Sequence, residues 1–195
     1  MPETNSEISL LVRGLSEADP SKRTSAAAEI FRRGRDLAKS ATGGWFADAD
    51  LAGCFALDSS VFPEATVGVA VEPATFESIR SSSGSPHLAE VPPDQDAAEF
   101  ELHFAGGVRL DILTTHQPGG PGAISRHLQK FGESIQQVEL LAKDVDRATE
   151  ILRSRFAIAP VYPATRPGAD GTRVNFFLVP ASDGKKVLVE LVEQR

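Results

Sequence analysis

Apolar and polar positions along this chain form one pattern that occurs twice. ATVGVAV (65–71) is a compact apolar run of strand type, and Pro73-Ala74-Thr75 opens a predicted helix, ATFESIRSS, with Phe76 and Ile79 facing inward. Residues 81–93 are rich in Ser, Gly and Pro and read as a loop holding at most a short strand. EFELHFAGGVRLDILTT is a hairpin of two alternating strands around Gly106-Gly107. The order then restarts. IQQVELLAK (135–143) is a strand, and Asp144 caps the helix DRATEILRSRF with Ala148, Ile151 and Leu152 inward. Residues 159–173 form a Pro/Gly-rich loop, and RVNFFLVPASDGKKVLVELVE is a second hairpin turning at Asp183-Gly184. Thr66 to Asp111 spans 45 residues and Gln137 to Glu190 spans 53, the excess lying in loops. A repeat in fixed order is stronger support than any single strand.

The remaining segments are helical. Ser6–Leu15 predicts one short helix. Asp19-Pro20-Ser21 starts a second, with Ala27, Ile30, Phe31 and Leu37 on its apolar face and Arg and Lys opposite. Gly43-Gly44 stops it, and Trp45–Leu57 predicts another short helix. Between the repeats, GGPGAISRHLQKFGES predicts a helix with Ile124, Leu128 and Phe131 on one face, ended by Gly132. The expected fold class is α+β: two βαβββ modules forming a curled mixed sheet around a cavity, plus a helical N-terminal segment. The expected boundaries are 1–63 for that segment, 64–116 and 134–195 for the modules, and 117–133 for the linker. Residues 1–40 look faintly like a HEAT-type hairpin, but one such unit cannot stand alone, so it is expected to cover part of the domain behind it.

Composition narrows the function. Of 195 residues, 41% are hydrophobic and 24% charged, as in soluble globular proteins. No apolar run is long enough to cross a bilayer, and the N-terminus lacks the pattern of a signal peptide. A net charge of −7 argues against a general nucleic-acid binder. The single cysteine, Cys54, excludes an internal disulfide and a Cys-based zinc site and reads as a buried small hydrophobe; a reducing, cytoplasmic location is expected. The glycines of HQPGGPGA fit neither a phosphate loop nor a dinucleotide fingerprint.

The alternation also nominates polar residues. In EFELHF, Phe100, Leu102 and Phe104 form the apolar set, which leaves Glu101 and His103 on the opposite face. Arg109 and Asp111 share a face in VRLDIL, as do Gln137 and Glu139 in QQVELL. Glu190 interrupts an apolar run in VLVELV, where a carboxylate is costly unless paired, liganded or solvated by a cavity. Convergence of these residues would make a polar pocket capable of general acid/base chemistry; the alternative is a satisfied network that closes a sheet face. Arg32, Arg33 and Arg35 read as a solvated helix face. His87, His116 and His127 are expected at the surface. Arg166 and Arg173, in a flexible loop, are available to an anionic ligand.

Paired βαβββ modules resemble the vicinal oxygen chelate (glyoxalase/bleomycin-resistance) superfamily. From Ala65 to Glu193 the chain looks most like the methylmalonyl-CoA epimerase family. ATVGVAV matches its first strand, GAISRHLQKFGESIQQVELLAKDVDRA its linker helix and second-module strand, and VLVELVE its glutamate-bearing last strand. Residues 1–63 have no counterpart. The resemblance implies a cavity between modules in which strand residues ligate a divalent metal that stabilises an enolate. The family's four ligand positions fall on Thr66, Asp111, Gln137 and Glu190; both histidines are replaced, by Thr66 and Gln137, and Glu190 alone is unchanged. Two alternatives result: a metal-free cavity, or a harder ion such as magnesium, manganese or calcium on oxygen ligands including Asp111 and Glu190. The resemblance further places Asp94 or Gln95 near a catalytic acid/base position. It implies proton transfer next to a carbonyl, of epimerase/isomerase or lyase type, on an acyl-CoA or oxoacid. The alternative is a non-catalytic protein that binds a small molecule, or an accessory subunit. The modules pair within one chain or across a homodimer, since superfamily members do both.

Overall fold

In the first half, strand β1 (Ala65–Ala70) leads into helix α4 (Pro73–Ser82), which comes after three N-terminal helices, α1 (Glu3–Gly14), α2 (Pro20–Thr42) and α3 (Ala49–Gly53). Strands β2 (Ala98–Phe104) and β3 (Val108–Thr114) complete that half. Helix α5 (Ala123–Phe131) precedes β4 (Ser134–Leu141), α6 (Val145–Arg155), the two-residue β5 (Arg166–Pro167), β6 (Arg173–Pro180) and β7 (Lys186–Glu193). These assignments come from a computed structural model, which describes residues 3–57, 62–182 and 184–193, with side chains from Glu7 onward. The expected turn residue Asp183 lies outside the described residues. Gly184 beside it has φ +78°, and its N–H donates to the Ala181 carbonyl.

The fold class is α+β, and the strand registers reproduce the internal repeat. β1 runs parallel to β3 with Gly68 opposite Asp111, and β4 runs parallel to β7 with Glu139 opposite Glu190. In each half the last strand pairs antiparallel with its hairpin partner: Glu101 lies opposite Asp111, and Phe176 opposite Glu190. The loop before β2 departs from the βαβββ expectation. Ala89 N–H donates to the Glu99 carbonyl, but among the described residues no strand forms there. In the equivalent stretch of the second half, Arg166–Pro167 forms β5.

The chain folds as two compact units, residues 1–33 with 66–136 and residues 34–65 with 137–195, divided inside α2. The core of the first gathers Ile8, Val12 and Leu15 of α1, Ala27, Ile30 and Phe31 of α2, and Phe76 and Ile79 of α4. These pack with Val67, Val69, Phe100, Leu102, Leu110 and Ile112, one face of that unit's strands. Gly14 permits the close crossing of α1 and α2, since a Cβ there would lie 2.9 Å from that of Ala26. Ile124 and Leu128 of α5 pack on Ala70 and Leu113, which belong to the other strand face. Phe131, expected on one face with Ile124 and Leu128, is 44% exposed. The buried stripe of α5 is Ile124, Ser125 and Leu128, and the small Ser125 shifts its centre away from Phe131.

The second unit's core joins Trp45, Leu51 and Phe55 with Val145, Ala148, Ile151 and Leu152 of α6. Val138, Leu140, Phe177, Val179, Val187, Val189 and Leu191 supply the strand face. The stretch 45–57, expected as one helix, is a 3-10 turn (Trp45–Ala47) followed by α3. Asp48 breaks it: its carboxylate accepts the Leu51 N–H as a helix cap and pairs with Arg155 of α6 at 2.9 Å. Asp144 caps α6 by accepting the Arg147 N–H. Arg32 and Arg33 pair with Glu29, and Arg35 lies over the Phe62 ring.

Candidate functional site

Strand alternation sends every second residue away from the cores just described, and the sequence-nominated residues of the strands fall on those second faces. In the second unit, β4 contributes Gln137 and Glu139, β7 contributes Leu188, Glu190 and Val192, and β6 contributes Phe176 and Leu178. Gln137 and Glu190 are each 7% exposed. The Gln137 Nε2 donates to Glu190 Oε2 at 2.5 Å and to Glu139 Oε1 at 3.2 Å. The amide orientation is set by charge: two carboxylates draw N–H groups, and an amide oxygen turned toward them would be repelled. One neutral side chain thus ties together the carboxylates of adjacent strands.

Apolar surface surrounds this polar centre. Phe176 stands directly across from Glu190, and Leu178, the next residue on the same face, is 51% exposed. Tyr162 reaches Phe176 from the preceding loop, with ring centroids 5.9 Å apart in an edge-on arrangement. Arg166 of β5 places its guanidinium carbon 4.5 Å from the Tyr162 ring centroid. Phe176 and Tyr162 were not nominated from the sequence. The adjacent pair Phe176-Phe177 carried the signal, since neighbours on a strand point to opposite faces and only one can enter the core.

In the first unit the second face carries Thr66 on β1, Arg109 and Asp111 on β3, and Glu101 and His103 on β2. Thr66 and Asp111 are buried. The side chains of Glu101 and His103 are exposed and lie 2.7 Å apart, with His103 across from Arg109. Asp94 is exposed in the 3-10 turn Pro93–Gln95, ahead of β2 rather than on a strand.

Two expectations require correction. His127 is half-buried instead of at the surface. Its Nε2 lies 2.9 Å from Ser134 Oγ, which donates to the Gly132 carbonyl, and burial pushes its pKa down to about 4. Arg173 is not available to a ligand, because it pairs with Asp146 and, at 2.8 Å, with Glu193. His87 and His116 are exposed, as expected. Cys54 is buried, and desolvation, followed by the nearby Asp144 charge, raises its thiol pKa. Among the described residues, no three His, Cys, Asp or Glu side chains gather as a metal-holding group, and no helix is long and apolar enough to cross a membrane.

The chain resembles the methylmalonyl-CoA epimerase of Mycobacterium tuberculosis in structure, with 29% identity over 72% of this chain and 93% of that one and a TM-score of 0.57. A methylmalonyl-CoA epimerase in complex with methylmalonyl-CoA and NH4+ matches at 25% identity, 68% and 94% coverage and a TM-score of 0.54. A variant of the Streptomyces coelicolor enzyme in complex with 2-nitronate-propionyl-CoA matches at 25% identity, 68% and 94% coverage and a TM-score of 0.55. No family profile and no curated protein matches the sequence. These structural likenesses give the chain the glyoxalase-type fold.

Proposed function

We propose that the chain binds an acyl-CoA thioester and moves a proton at the carbon next to its carbonyl, with Glu190 as the acid/base group and without a metal. The observation that carries this reading is the buried Glu190, held by the Gln137 amide and lying directly across from Phe176. A carboxylate fixed in this way is placed to accept a proton from a C–H brought against it. Two solved structures of similar fold hold methylmalonyl-CoA and 2-nitronate-propionyl-CoA, which supports a CoA thioester as the ligand class.

The residues present do not fit the divalent metal that the family resemblance implies. Gln137 directs its amide nitrogen at Glu190 and Glu139, and an amide N–H is a donor where a metal requires a lone pair. The same amide suits metal-free chemistry. Glu190 takes the α-proton and its oxygen ceases to be an anionic acceptor. The Gln137 N–H is then released to the enolate oxygen, and return of the proton from Glu190 restores the starting arrangement.

The test is α-proton exchange of methylmalonyl-CoA in deuterated buffer, followed by NMR. Metal-stripped wild type is expected to catalyse exchange, and Glu190→Gln to lose it. Binding without exchange in wild type would replace the catalytic reading with that of a ligand-binding protein, and exchange surviving in Glu190→Gln would remove Glu190 from the chemistry.

A further inference from the structure

Gln137 meets two carboxylates through one nitrogen, and the strand registers explain how. Glu139 follows Gln137 by two residues on β4, so both side chains leave the same strand face. β7 runs parallel beside β4 with Glu190 directly opposite Glu139, which sets the two carboxylates on neighbouring strands beside the same amide. An amide nitrogen carries two N–H groups, and here it has two acceptors: Glu190 Oε2 at 2.5 Å and Glu139 Oε1 at 3.2 Å. Gln137 and Glu190 are buried, whereas Glu139 is half-buried. Loss of the Glu139 carboxylate would therefore leave the buried Gln137–Glu190 bond in place.

A single hydrogen bond lets an amide pivot about the donor–acceptor line, and a second bond from the same nitrogen fixes its plane. We infer that Glu139 is a positioning residue, which fixes the Gln137 amide so that the N–H released by Glu190 is aimed at the enolate oxygen. This rests on the proton-transfer reading above and names the group that orients its hydrogen-bond donor. In that reaction Glu190 takes the α-proton while the C–H electron pair moves through the new carbon–carbon double bond onto the carbonyl oxygen. Glu190, now neutral, holds the amide less strongly. Glu139 lies outside the transfer and keeps its own bond, so the amide stays tethered by one N–H while the other turns to the developing oxyanion. Return of the electron pair to carbon takes the proton back from Glu190, and the two-bond arrangement is restored. The tether comes from β4 itself, so strand geometry sets it before any ligand arrives.

Kinetics of α-proton exchange in methylmalonyl-CoA, with wild type, Glu139→Gln and Glu139→Leu, test it. Glu139→Gln keeps a side-chain oxygen that accepts the Gln137 N–H, and Glu139→Leu does not. Loss of the tether predicts a fall in kcat of about tenfold in Glu139→Leu with KM within about twofold of wild type, and Glu139→Gln should recover most of the rate. The side-chain amide signals of Gln137 in nitrogen-15 NMR give a readout without turnover. Both amide protons should be protected from solvent exchange in wild type and in Glu139→Gln, and only one of them in Glu139→Leu. Unchanged kcat and unchanged amide signals in Glu139→Leu would overturn the inference while leaving the proton-transfer reading intact. A rise in KM alone would also overturn it, because Glu139 would then act on ligand binding and not on the amide. Failure of wild type to catalyse exchange would overturn the proton-transfer reading and the catalytic purpose of the tether together.

Discussion

Replacing Gln137 by leucine should destabilise the protein through Glu190. The side chains are similar in size, so the substitution removes the amide and little else. Glu190 is 7% exposed and accepts that amide at 2.5 Å. A buried carboxylate that loses a hydrogen-bond donor costs roughly 1.5–3 kcal/mol, more than a neutral acceptor would. For a chain of this size, that is a fall in Tm of roughly 3–12 °C. Replacing both partners by leucine removes the buried charge as well, and this pair of changes is expected to be far less harmful than the sum of the single ones. Thermal melts and urea titrations of wild type, Gln137→Leu, Glu190→Leu and the double variant form a complete cycle. A coupling above about 1 kcal/mol is expected. Additive effects, or a Gln137→Leu protein as stable as wild type within about 0.5 kcal/mol, would refute the view that the amide holds a charged Glu190.

Further predictions concern other buried groups. His127 binds its proton less tightly folded, at about 4, than unfolded, at the ordinary 6.5. Between those values the unfolded chain holds the extra proton, so the contribution is complete above the unfolded pKa and is lost as pH falls toward 4. The difference is worth about 3 kcal/mol between about pH 7 and pH 4, and His127→Asn should flatten the pH dependence of urea midpoints by that amount; an unchanged slope would contradict it. Cys54, buried and with its thiol pKa raised, should react with a thiol-specific reagent only on unfolding; labelling at native rates comparable to a free thiol would show the site open. Asp144→Ala should cost about 1 kcal/mol by removing the α6 cap, read from the urea midpoint, and a neutral result would mean the cap is replaced by another acceptor.

What was legible in the sequence was local and periodic. Asp144 announced α6 because a capping carboxylate is a short-range arrangement, and the alternation of EFELHF assigned Phe100 and Leu102 to the core because a strand allows two faces. Glu190 stood out because a charge inside VLVELV needs a partner, although the sequence could not say that the partner is Gln137, a residue 53 positions away. Pairings of that kind depend on register. The same holds for Phe176 across from Glu190, and for Arg173, whose acidic partners come from α6 and β7. In α5 a spacing of three and four groups Phe131 with Ile124 and Leu128, but the burial of the small Ser125 turns the stripe the other way. The N-terminal helices divide between the two compact units, with the boundary inside α2.

Acyl-CoA chemistry at Glu190 requires the ligand to sit on one particular strand face, and a single titration decides it. Isotope-labelled protein titrated with propionyl-CoA, followed by methyl and aromatic NMR shifts, samples both faces of β6 and β7 at once. Perturbations are expected at Phe176, Leu178, Leu188 and Val192, with Phe177, Val187, Val189 and Leu191 unmoved. Shifts centred on the second set, or no shifts at saturating ligand, would contradict the assignment.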